Sequence, residues 1–96
     1  MSDLELARVQ INQADAQISK SFCQRMQAVK KIAEYKKAHG LPIKDEKREA
    51  EIIAQNLELL QDSSLRKYYE KLLRSCIEVS CEFQADLMNS NGGKND

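Results

Sequence analysis

The sequence has no tryptophan, only two phenylalanines and three tyrosines, so the large apolar side chains that anchor a small core are scarce. A chain of 96 residues is one domain by size, and with so few aromatics it needs tight helix packing or a partner chain. There is no charge excess: fifteen Lys and Arg balance fifteen Asp and Glu. That argues against nucleic acid or an anionic membrane as the main partner, since both need a net basic surface, but it leaves room for a local basic pocket. No apolar run approaches the roughly 18 residues of a membrane span. The start, Met1-Ser2-Asp3-Leu4-Glu5, has neither the basic segment nor the apolar stretch of a secretion signal. Cys23, Cys76 and Cys81 are odd in number and without CxxC spacing, which argues against a disulfide framework or a zinc site. Reduced cysteines in a cytoplasmic protein are the expectation.

One proline and three glycines punctuate what remains. Nothing breaks a helix from Leu4 to about Ala38. Leu4, Ile11, Ile18 and Ile32 recur at sevens, with Ala7, Ala14 and Ala28 beside them. The pattern predicts one helix of about 35 residues, roughly 50 Å long, stopped by Gly40 and kept from resuming by Pro42. Asp45 is placed to cap a second helix, which runs to about Leu60 with Ala50, Ile53, Leu57 and Leu60 on one face. After the turn Gln61-Asp62-Ser63-Ser64, a third helix from Leu65 to about Met88 carries an apolar stripe of Leu65, Tyr69, Leu72, Cys76, Val79, Phe83 and Leu87. The polar segment 89–96 reads as a disordered tail or as a linker to a further domain. The fold class is therefore all-α, with one long and two shorter helices. The first is too long for a compact globule of this size, and a second copy is the natural cover.

Several polar residues sit where a plain helical bundle does not want them. The seven-residue series places Arg25 between Ile18 and Ile32. It is either an arginine snorkelling at the seam's edge or a buried cation suited to an anionic ligand. Lys36 follows by almost three turns and faces the same way. Ser80 and Gln84 lie four apart on the third helix, and Arg48 and Glu49 follow the cap Asp45 within a turn. Each could also be an ordinary solvated polar residue. Arg8 lies 17 residues before Arg25, roughly 25 Å along one helix, so the two cannot hold one small ligand within a chain. An antiparallel copy crossing near residues 16 and 17 would set Arg8 of one chain beside Arg25 of the other, and Ile11 near Phe22, as a two-fold dimer requires.

Taken together, Arg8, Arg25, Lys36, the run Pro42-Ile43-Lys44-Asp45-Glu46-Lys47-Arg48-Glu49, Ser80 and Gln84 closely resemble the all-helical (AroQ-type) chorismate mutase family. The resemblance covers about Leu4 to Gln84. It implies an intertwined homodimer with two equivalent sites, a domain over residues 1–88, no metal and no cofactor. It implies further that Arg25, with Arg8 from the other protomer, clamps the two carboxylates of chorismate. Lys36 contacts a carboxylate and the breaking ether oxygen, and Gln84 contacts that oxygen from the other side. Glu49 and the Asp45 N–H hold the ring hydroxyl, Ser80 contacts the ring carboxylate, and Arg48 orders the pocket. Lys36, Gln84, Arg25 and Glu49 would be the catalytic set.

A pericyclic rearrangement suits these residues, because it needs no nucleophile, no general base and no redox centre. The sequence has no HExxH, no phosphate-binding glycine loop and no Cys–His pairing. Its single histidine, His39, falls in the loop beside Gly40 and is expected to have no chemical role. Two other readings stay open. Isochorismate-pyruvate lyase uses the same helical scaffold on a similar dianion. A non-catalytic helical dimer would account for the long first helix, but not for Arg25 in the seam together with Lys36, Glu49 and Gln84. No second site for phenylalanine or tyrosine is evident.

Overall fold

A computed structural model describes residues 1–93. Three helices account for nearly all of it: α1 over Asp3–His39, α2 over Glu46–Leu59 and α3 over Arg66–Gly93, with a 3₁₀ turn at Ser63–Leu65 leading into α3. Among the described residues there is no strand, and no helix is long and apolar enough to cross a membrane.

Local chemistry sets each boundary. Ser2 caps α1: its Oγ accepts from the Glu5 N–H at 3.1 Å, while the Ser2 N–H donates to Glu5 Oε1 at 2.9 Å. This reciprocal capping box satisfies two otherwise orphaned donors. These bonds to Ser2, the backbone one first, hold the Glu5 carboxyl below the usual carboxylate range. The signal, Ser-x-x-Glu, stands in the sequence, though the seven-residue series did not use it. At the other end Gly40 adopts φ 64°, ψ 31°, a left-handed conformation that side chains with a Cβ resist. That turn lets the Leu41 N–H reach back to the Lys36 carbonyl at 2.8 Å. Asp45 caps α2 as expected, accepting from the Arg48 N–H at 3.0 Å. Asp62 caps the 3₁₀ turn by accepting from the Ser64 N–H at 3.0 Å and its hydroxyl at 2.6 Å.

At 37 residues, α1 should measure about 55 Å, and the chain's longest extent is 54 Å. The radius of gyration, 17.2 Å, exceeds the roughly 13 Å of a compact chain this size. Helix α3 packs against both α1 and α2, whereas among the described residues the backbones of α1 and α2 stay apart. A trough is left between them with α3 as its floor. The core is small: Val29, Ala33, Leu57, Leu73 and Ile77 are its buried apolar members.

Three expectations change here. The buried face of α3 is Leu73, Ile77, Ser80 and Gln84, while Leu65, Leu72 and Val79 of the expected stripe are exposed. Apolar residues lie all around this helix, and periodicity cannot say which flank meets its own chain. On α2, Ala50 is exposed and Ile53 and Leu57 carry the contact side. Helix α3 continues to Gly93, past the expected end at Met88, because no proline or capped stop interrupts it and adding a residue to an existing helix costs little. The rest of the expected tail, residues 94–96, lies outside the described residues. The seven-residue series of α1 is itself outward-facing: Leu4, Ile11, Ile18 and Ile32 are 48–61 % exposed in the single chain.

Candidate active site

The trough between α1 and α2 closes into a cavity of about 350 Å³, within the usual range for small-molecule sites, roughly 300–1,000 Å³. Helix α1 contributes Arg25, Ala28, Val29, Ile32 and Lys36, the α1–α2 loop Ile43 and Asp45, and α2 Arg48, Glu49 and Ile52. Helix α3 supplies Ile77, Ser80, Cys81 and Gln84 as the floor. A wider hollow beside Ser63, Arg66 and Lys71 is lined by charged and hydroxyl-bearing residues and lies open. The α1–α2–α3 cavity sets converging charges among apolar walls.

Seven of the eight residues singled out in the sequence line this one cavity. Arg8 does not, since it lies on the exposed N-terminal half of α1, some five turns away. Arg25 is half-buried and donates through its guanidinium to Ser80 Oγ. The Ser80 hydroxyl in turn donates to the Cys76 carbonyl at 2.8 Å. The arginine is thus braced on Ser80 while it lines the cavity. Lys36 is half-buried and donates to the Ile43 carbonyl at 2.7 Å. This bond ties the loop after Gly40 back onto α1, and spacing alone gave no sign of it.

On α2, Glu49 faces the cavity with its Oε1 2.9 Å from Lys44 Nζ. Its Oε2 lies 4.0 Å from Cys81 Sγ, within reach of a thiol hydrogen bond. Arg48 is mostly exposed and makes only a 3.8 Å contact with Glu51, a pair worth at most about 1 kcal/mol, so its guanidinium is free to turn inward. The Asp45 carboxylate is used in capping. Position N3 is Arg48, with no acceptor to reach back, and no group among the described residues accepts from the Asp45 N–H.

Gln84 is the most informative member. It is 6 % exposed, and its Oε1 is buried without a hydrogen-bond partner. Leaving such a group unsatisfied costs about 1–3 kcal/mol. Ser80, equally buried at 6 %, has two partners; Gln84 has none among the described residues. Sequence reasoning placed both on the flank of an apolar stripe, whereas packing puts them at the bottom of the cavity.

The lining is electropositive, with Arg25, Lys36 and Arg48 against Asp45 and Glu49, and Glu49 already paired with Lys44. A small anion with several oxygen acceptors fits it. Residues to which the sequence assigned no site role are the apolar walls Val29, Ile32, Ile52 and Ile77, the thiol of Cys81, and Lys44 behind Glu49. His39 stands apart, stacked on Tyr35 with ring centroids 4.0 Å apart.

The family model described as chorismate mutase type II matches residues 7–85, a span that includes Arg8, Gln84 and every candidate residue between them. No curated protein and no solved structure matches the chain.

Proposed function

Because this chain belongs to the chorismate mutase type II family, we propose that it converts chorismate to prephenate in the cavity between α1, α2 and α3. The observation that carries this reading is Gln84, a buried amide with no partner, set in a pocket with two half-buried cations. A buried amide left unsatisfied by its own chain is suited to a ligand atom. The orphaned atom is the acceptor Oε1. In this reaction a half-turn of the amide exchanges Oε1 for the Nε2 donor, which meets the ether oxygen between ring and enolpyruvyl arm. That oxygen gains negative charge as its bond to the ring stretches.

Two effects lower the barrier. Arg25, braced on Ser80, and Arg8 of the partner subunit hold the two carboxylates, so that the arm lies over the ring in reactive geometry. Arginine suits this because its planar fork binds carboxylate through two parallel hydrogen bonds. Lys36 and the Gln84 amide N–H then donate to the ether oxygen inside an apolar-walled site, where such bonds act strongly. Glu49 and the Asp45 N–H hold the ring hydroxyl, Ser80 turns its hydroxyl from the Cys76 carbonyl to the ring carboxylate, and Arg48 orders the pocket. No proton is transferred to or from the protein, and no covalent intermediate forms. The working unit is a homodimer whose site lies within residues 1–88, acting in the cytoplasm in phenylalanine and tyrosine synthesis.

The reading is tested by adding chorismate to the purified chain and following the loss of its absorbance. Acid then converts any prephenate to phenylpyruvate, which identifies the product. Prephenate formation is expected. Its absence, with pyruvate released from isochorismate instead, would assign the lyase reaction to this cavity.

Gln84→Glu tests the ether-oxygen contact. An ionised carboxylate cannot donate a hydrogen bond, while a protonated one can. Activity should therefore be low at neutral pH and rise as pH falls and the new carboxyl takes up its proton, moving the optimum toward acid. A pH profile identical to that of the parent chain would remove Gln84 from the mechanism.

A further inference from the structure

Glu49 poses an electrostatic problem for the proposed reaction, and the role inferred for its neighbour Lys44 rests on that reading of the cavity. A carboxylate is a good acceptor for a ring hydroxyl. The same carboxylate repels a substrate that carries two carboxylates of its own, and in a pocket with apolar walls that repulsion is poorly screened. The fold supplies a counter-charge from behind. Lys44, in the loop before α2, places its ammonium 2.9 Å from Glu49 Oε1. Lys44 is not among the residues lining the cavity. It lies in a separate hollow on the far side of Glu49, bounded also by Ile53, Arg74, Ile77, Glu78 and Cys81. Glu49, Ile77 and Cys81 belong to both hollows and form the wall between them.

We propose that Lys44 is a positioning residue: from outside the cavity it neutralises and orients the Glu49 carboxylate, so that the site keeps its hydroxyl acceptor without repelling a dianionic substrate. Cys81 completes the restraint, since its thiol faces the other oxygen, Oε2, at 4.0 Å. The Glu49 side chain is 21 % exposed and that of Lys44 63 % exposed, so the pair straddles the boundary between cavity and solvent. The hydrogen bond to Glu49 is the main reason the Lys44 ammonium is held above the ordinary lysine range. The two residues are five apart in sequence, with Lys44 in the loop and Glu49 in the first turn of α2. The cap at Asp45 therefore fixes their approach: it turns the chain between them, and Lys36 anchors the same loop through the Ile43 carbonyl.

The test is a double-mutant cycle on the full chain with chorismate as substrate. Lys44→Gln is expected to raise KM about fivefold, the upper range for an exposed ion pair, with kcat changed by less than about twofold, and Lys44→Arg should restore KM. In a Glu49→Gln background the same Lys44→Gln change should leave KM nearly unaltered, because no charge remains to be neutralised. An equal rise in both backgrounds would mean that Lys44 attracts substrate directly, and would overturn the proposal. So would an unchanged KM in the single variant of a chain that converts chorismate. A parent chain that leaves chorismate untouched would overturn both the proposed function and this role.

Discussion

Lys36→Ala is expected to lower kcat on chorismate by about a hundredfold or more, the usual cost of deleting one donor to a developing oxyanion. The chain should remain helical throughout. Lys36 lies in the last turn of α1, where a cation also suits the negative end of the helix dipole, but that contribution is at most about 2 kcal/mol at a partly buried site. The structure adds a second consequence. Lys36 donates to the Ile43 carbonyl at 2.7 Å, so alanine also releases the loop that delivers Lys44 and Asp45. The two effects separate in the kinetics. A loosened loop misplaces Glu49 and the Asp45 N–H and raises KM, whereas a lost ether-oxygen donor lowers kcat. A fall confined to substrate affinity would leave Lys36 as a loop anchor, and near-normal turnover would end its electrostatic role.

Arg25→Leu is expected to cut kcat/KM by about a hundredfold or more, since a charge-assisted hydrogen bond contributes roughly 1.5–3 kcal/mol and the clamp on a carboxylate uses two. Stability should hold or rise. Ser80 loses one partner but keeps its bond to the Cys76 carbonyl, so no new buried orphan arises. Leucine also continues the aliphatic series of Ile18 and Ile32, and replacing a half-buried ion by a well-packed apolar group is often neutral or stabilising. Thermal melting followed by circular dichroism, beside the chorismate assay, reads both halves. A melting temperature that holds or rises together with lost turnover marks a residue kept for substrate rather than for the fold. Retained turnover would show the arginine to be an ordinary seam residue.

These two residues also show how much of the site was legible in the chain. Arg25 stood out because it interrupted a series of aliphatics, and Lys36 because eleven residues bring a helix back to nearly the same face. The partners of both, Ser80 Oγ and the Ile43 carbonyl, were not legible. One lies 55 residues away in sequence and the other is a backbone atom of a loop. Ser80 and Gln84 were correctly paired at four-residue spacing yet assigned to a flank. The sequence offers Leu72 and Leu73, or Cys76 and Ile77, as equally apolar neighbours on α3, and only contact with α1 and α2 selects Leu73 and Ile77 for the interior.

The sequence by itself determined the three helices and their breaks at Gly40, Pro42, Asp45 and Asp62, because capping, left-handed turns and the missing proline N–H act within a few residues of backbone. It also determined that α1 outreaches its own core, because length at 1.5 Å per residue is arithmetic. The tertiary structure decided which face of each helix turns inward, that Gln84 lies unpartnered at the bottom of a cavity, and that Lys44 stands behind Glu49. Those outcomes depend on α1 and α2 packing separately on α3 and leaving a gap between them. A gap is a property of three helices in space, and no local pattern along one of them specifies it.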